Sequence, residues 1–85
     1  MTSQQDDIDA KILELVSARG SNESICPSEV ARALVGSDEK EWRLLMKPIR
    51  ARAVELAQND KIQIRRKGKR ADPESFKGVY RLSAV

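Results

Sequence analysis

Between residues 38 and 59 the apolar side chains fall at Trp42, Leu45, Met46, Ile49, Ala53, Leu56 and Ala57. At about 100° per residue these positions share one face of a helix, so the chain must provide a surface to cover them. It is the longest apolar stripe in the sequence. Pro48 stands in its middle, removing a backbone donor and crowding the preceding turn. The stripe nevertheless keeps its phase across Pro48, which projects to the opposite side. The expected form is one kinked helix, with Pro48 facing solvent and water on the freed Leu44 carbonyl. Along the flank run Arg43, Lys47 and Arg50, at helical spacing and therefore on a common side.

Partners for the stripe come first from the N-terminal half. After a polar tail at residues 1–5, expected to be disordered, Ile8, Ile12, Leu15 and Val16 mark a helix beginning at Asp6. Asp6, Asp7 and Asp9 suit its positive end, and Arg19 with Gly20 closes it. A polar loop at 21–24 leads to Ile25, a candidate for a very short strand. Cys26-Pro27-Ser28-Glu29 then opens a second helix: Pro27 loses nothing at the first position, and Glu29 is placed to accept from the Cys26 amide. Val30, Ala31 and Leu34 are its buried face, Glu29 and Arg32 point outward, and Gly36 ends it. Asp38 and Glu41 form a further capping box at the start of the long helix.

Past the turn pair Asn59-Asp60 the apolar period changes from helical to two. Ile62 and Ile64 alternate with Gln63 and Arg65, which predicts a strand. Gly68 marks a hairpin tip, Asp72-Pro73-Glu74 a turn with Asp72 as its cap, and Val79 to Leu82 a last strand. Ile62, Ile64, Tyr80 and Leu82 are expected to face the helices, with Arg65 and Arg81 on the other side. The order is helix, short strand, helix, helix, strand, basic hairpin tip, strand. It is the α+β order of a winged helix-turn-helix, with three helices and a small antiparallel β-hairpin wing, in one domain spanning residues 6–85.

The charge is unevenly divided. Residues 1–41 carry four Lys and Arg against nine Asp and Glu, whereas residues 42–85 carry twelve against four, for a total of +3. A basic second half suggests an anionic partner, unless the halves neutralise each other across the fold. The absence of His and the presence of a single cysteine, Cys26, remove the commonest general base and the usual metal ligands. No catalytic residue, metal or cofactor is therefore expected, and Cys26, Ser28 and Glu29 lack a third group to complete a reactive constellation. With no membrane-length apolar run and no disulfide, the expected setting is cytoplasmic.

The segment Ile25-Cys26-Pro27-Ser28-Glu29-Val30-Ala31-Arg32-Ala33-Leu34 adds a further clue. Together with Trp42-Arg43, Leu45-Met46, Ile49-Arg50, Gly68, Asp72-Pro73 and Gly78, it resembles a bacterial family of small winged-helix proteins classed as a domain of unknown function. The resemblance runs over about residues 7–82. It implies a winged-helix fold and a bacterial source, and it implies no activity. The family pattern places a proline beside Gly78, where this chain has Val79.

On these residues the chain is expected to bind nucleic acid, as double-stranded DNA held mainly by backbone charge. Arg43, Lys47 and Arg50 would lie along a groove, while the wing residues Arg65, Arg66, Lys67, Lys69 and Arg70 meet phosphates. If five cations did so, log K would fall against log salt with a slope near −4 to −5. No aromatic side chain is interleaved with the wing cations, which speaks against stacking on single strands. The ridge Leu44, Pro48, Ala51 and Glu55 is poor in base-reading donors, so sequence specificity should be weak. The alternative is a protein-interaction module or homodimer that uses Leu44, Pro48 and Ala51. Trp42 is expected as a packing anchor, and Phe76 as a cover for the open end of the core.

Overall fold

Capping and dipole chemistry set most of the helix ends in the computed structural model, which describes residues 4–20, 23–76 and 78–85. Helix α1 spans Gln4–Arg19, starting two residues before Asp6, and the Gly20 amide closes it on the Val16 carbonyl at 3.3 Å. Residues 1–3 of the expected tail, and residues 21 and 22 of the expected loop, lie outside the described residues. Strand β1 is Ser24–Ile25 and helix α2 is Pro27–Val35. The Glu29 carboxylate accepts from the Cys26 amide at 2.6 Å, as the sequence predicts. The same carboxylate also takes Arg19 at 2.6 Å, which ties the end of α1 to the start of α2.

The long helix departs from expectation. Residues 38–59 form helix α3 at Glu39–Trp42, a 3-10 turn at Arg43–Leu45, and helix α4 at Met46–Gln58. The interruption precedes Pro48, which becomes the third residue of α4, where a missing N–H orphans nothing. One kinked helix with an outward proline is thus replaced by two helices joined through a tighter turn, and Pro48 is half-buried. The stripe survives because three residues of 3-10 helix shift its phase only slightly. Leu45, Ile49, Ala53, Leu56 and Ala57 are buried, and Trp42 and Met46 pack on the margin of the core. The Asp38 capping box forms only in part: its side chain accepts from the Lys40 amide at 3.0 Å, one residue short of Glu41. At the other end the Lys61 amide reaches the Leu56 carbonyl and the Asp60 amide that of Ala57, with Asp60 at φ 59°. That paired closure is a Schellman motif, reached without glycine.

Strands β2 (Gln63–Arg66), β3 (Lys69–Arg70) and β4 (Arg81–Ser83) complete an antiparallel sheet ordered β1-β4-β2-β3. β4 begins two residues later than the predicted Val79. Lys67 and Gly68 join β2 to β3 with φ values of 53° and 79°, and Arg66 pairs with Lys69 across them. Positive φ at both central residues is what a two-residue type I′ hairpin requires. In the connection that follows, the Asp72 carboxylate accepts from the Glu74 amide at 2.9 Å and fixes the expected turn.

Ile62, Ile64, Tyr80 and Leu82 all face the helices and join Ile8, Ile12, Val16, Ile25, Val30 and Ile49 in one core, with Phe76 included. The result is α+β, three helical segments (counting α3 with α4) against a small antiparallel sheet, compatible with a winged helix-turn-helix. A tie that the sequence does not announce is Arg52 on Asp9, bidentate at 2.8 Å for both contacts and joining α4 to α1. The placement of Pro48 is checked by Pro48→Ala. Thermal unfolding should move by less than about 1 kcal/mol in stability. A gain near the ~3 kcal/mol of a mid-helix proline would contradict an α4 that starts at Met46.

Candidate nucleic-acid interface and the apolar groove

The strand register decides which cations stand together. Arg65 is paired with Arg70 on one side and with Arg81 on the other. Cross-strand partners project from the same face with side chains about 5 Å apart, so Arg70, Arg65 and Arg81 form a row across three strands. Because Ile64 and Leu82 face the helices, the row lies on the outer face of the sheet. Like charges directly opposite one another are destabilising, so this row calls for either internal acceptors or an external anion.

Internal acceptors satisfy part of it. Arg65 donates Nε to the buried Ser83 hydroxyl at 2.9 Å, and Arg81 grips Ser24 through its hydroxyl at 2.6 Å and its carbonyl at 2.9 Å. Among the described residues Arg70 has Asp60 alone, at 3.9 Å between two exposed groups, a contact of little worth in water. Lys67, at the hairpin tip, and Lys69, beside it, are exposed. Arg66 turns to the other side of the hairpin and donates Nε to the Val79 carbonyl at 3.0 Å.

The helical trio differs in its partners. Arg43 is exposed and pairs with Glu39 at 2.8 Å, and Lys47 is exposed on α4. Arg50 instead reaches the Phe76 carbonyl at 2.8 Å, with its guanidinium 4.2 Å from the Phe76 ring centre and 5.9 Å from that of Tyr80. A cation–π contact of this kind contributes about 0.5–1 kcal/mol where partly exposed. Arg50 therefore clamps the connection before β4 onto α4. Leu44 is 73% exposed and Ala51 is exposed beside it. Sequence reasoning put Arg65 and Arg81 on one side but left Arg81 out of the binding residues, and it missed Ser24 and Ser83 as supports of the row and Arg52 as a tie between α4 and α1. The available signals were the alternation that puts Arg65 and Arg81 on one side and the Lys67-Gly68 pair, from which a two-residue turn and hence the register follow.

A second concave feature lies beside the clamp. Cys26, Pro27 and Ser28 from the start of α2, Trp42 and Met46, and Gly78, Val79 and Tyr80 line an open apolar groove of about 460 Å³. Cys26 Sγ lies 3.1 Å from Ser28 Oγ. Tyr80 is 8% exposed, and its hydroxyl has no hydrogen-bond partner among the described residues. Burial pushes its pKa up to about 12, with Arg50 pulling it down and Cys26 adding to the rise. Among the described residues, no cluster of three or more His, Cys, Asp or Glu is placed to hold a metal. Nor is any helix long and apolar enough to cross a membrane.

A family model described as "Protein of unknown function (DUF3253)" matches residues 5–85. No curated protein matches the chain.

Tyr80 is the single tyrosine, so its ionisation can be followed alone by ultraviolet absorbance. In the folded chain the phenol keeps its proton to about pH 12, against an ordinary value near 10. The unfolded chain releases that proton first, so stability present below pH 10 falls as pH rises from 10 towards 12. The loss should be roughly 3 kcal/mol. Free titration of Tyr80 near 10 in the folded protein would contradict its burial.

Proposed function

The chain belongs to the DUF3253 family, whose description assigns no activity, and from that premise we propose a bacterial, cytoplasmic winged-helix protein that binds duplex DNA without catalysing a reaction. The observation that carries this reading is the arginine row Arg70–Arg65–Arg81, prolonged by Lys67 at the hairpin tip, with exposed Lys69 on the other side of the same hairpin. Cationic side chains held side by side by strand pairing match a line of phosphates, and a phosphate backbone relieves their mutual repulsion. The hairpin is the principal contact. Exposed Lys47, and Arg43 once it leaves Glu39, supply secondary phosphate contacts from the helical side.

Specificity is weak on this reading. The exposed helical ridge holds Leu44, Ala51 and Glu55, none of them a good reader of base edges, and phosphate contacts carry no sequence information. The reading also gives the anchored arginines a different role from the free cations. Arg50, Arg52 and Arg66 hold the fold with their guanidinium groups, and their charge adds to the field without meeting a phosphate directly.

Fluorescence anisotropy on a labelled random-sequence duplex tests this division. Log K should fall against log salt with a slope of roughly −4 to −5. Substituting Lys67, Lys69 and Arg70 by Gln should weaken binding about equally on all sequences and flatten the slope by about 2 to 3. Arg50→Gln should leave the slope unchanged and lower the thermal stability. Absence of binding at low salt, or binding untouched by the hairpin substitutions, would overturn the proposal in favour of a protein contact through exposed Leu44.

A further inference from the structure

Among the described residues the border of the apolar groove is mainly positive, with the Glu29 carboxylate on the Cys26 amide as its one acidic neighbour. The guanidinium of Arg32 lies 5.9 Å from the Trp42 ring centre, that of Arg50 the same distance from Tyr80, and Arg66 donates to the Val79 carbonyl. Trp42, Tyr80 and Val79 are all groove residues, and no carboxylate lines it among the described residues. At Gly78 an added Cβ would stand 3.0 Å from a terminal nitrogen of Arg66, so the glycine lets that guanidinium lie against the groove wall. The helix of Pro27–Val35 starts at the same place, through Cys26, Pro27 and Ser28, with the Cys26 amide already taken by Glu29 and the later first-turn amides adding to the positive end. Val79 is 83% exposed, a large apolar side chain left at the lip. The buried Tyr80 hydroxyl behind the wall is a donor with no hydrogen-bond partner among the described residues.

From these observations we infer that the groove is a binding site for a small organic anion with an apolar body, such as an aromatic carboxylic acid. A volume of about 460 Å³ is in the range of small-ligand sites. The apolar part covers Trp42, Met46 and Val79, and the carboxylate is held at the rim by the guanidinium groups of Arg66 and Arg32. The site is independent of duplex binding, since it uses none of the hairpin residues Lys67, Lys69 and Arg70. It does abut Met46, the first residue of α4, so an occupant touches the helix beside the hairpin.

Naphthylacetate and its neutral counterpart naphthylethanol serve as the probes, titrated into the whole chain and followed by amide and indole NMR shifts. The acid should give saturable shifts confined to Ser28, the Trp42 indole, Met46 and Val79, and should bind roughly tenfold more tightly than the alcohol. Ser28→Asp places a second carboxylate at the second residue of α2, where the helix dipole favours it and the fold is kept. It should weaken the acid about tenfold and leave the alcohol unchanged. Arg32→Gln, at an exposed position, should weaken the acid in the same direction. Shifts that fail to saturate, equal affinity for acid and alcohol, or an acid insensitive to both variants would overturn the inference.

Discussion

Strand β4 closes the fold. Three residues, Arg81–Ser83, pair with β1 on one side and β2 on the other, so the end of the chain is inserted between segments from its middle and its first third. Leu82 in the centre of that strand is fully buried, and Arg81 reaches Ser24 across 57 residues of sequence. Because β4 takes the inner place, the chain leaving β3 must cross back over the end of α4. That crossing brings Phe76 and Tyr80 together, with ring centres 5.0 Å apart, and lays both under Arg50. The clamp, the groove and the arginine row all follow from where one short strand sits.

The same constraint sorts the basic residues into two kinds. Arg50, Arg52, Arg66 and Arg81 bond to defined acceptors, two of them backbone carbonyls in the connection before β4. Arginine suits this work because its planar fork satisfies several acceptors at once while its stem packs against apolar surface. The cations left to solvent at the hairpin are mostly lysines, Lys67 and Lys69, with Arg70 beside them. The net positive charge of the second half is therefore partly structural. Reading all of it as a ligand-binding signal overstates the number of groups available to phosphates.

Features resting on local chemistry were legible in the sequence. The cap of α2 by Glu29, the Asp72 turn, the Gly68 tip and the inward set Ile62, Ile64, Tyr80 and Leu82 need only neighbours within a few residues or a simple period. The break at Arg43–Leu45 was hidden because a single 3-10 turn barely disturbs the stripe's phase, and Pro48 drew attention to the wrong position. The Arg52–Asp9 tie and the fate of Arg50 were illegible for a different reason. Their partners lie 43 and 26 residues away, and nothing in the flanking sequence distinguishes an arginine that will be claimed by the fold from one that will not. The row on the sheet is intermediate: it follows from register, and register follows from a two-residue turn, so its alignment was implicit in Lys67-Gly68.

The most direct test of the division between anchored and free cations is an NMR titration of the labelled protein with a random-sequence duplex at low salt. Backbone shifts should be largest at Lys67, Gly68, Lys69 and Arg70, with Arg81 also affected. The arginine side-chain signals of Arg50 and Arg52 should stay in place, because the Phe76 carbonyl and Asp9 still hold them. Shifts centred on Lys47 and Ala51 of α4, with the hairpin unperturbed, would contradict the account.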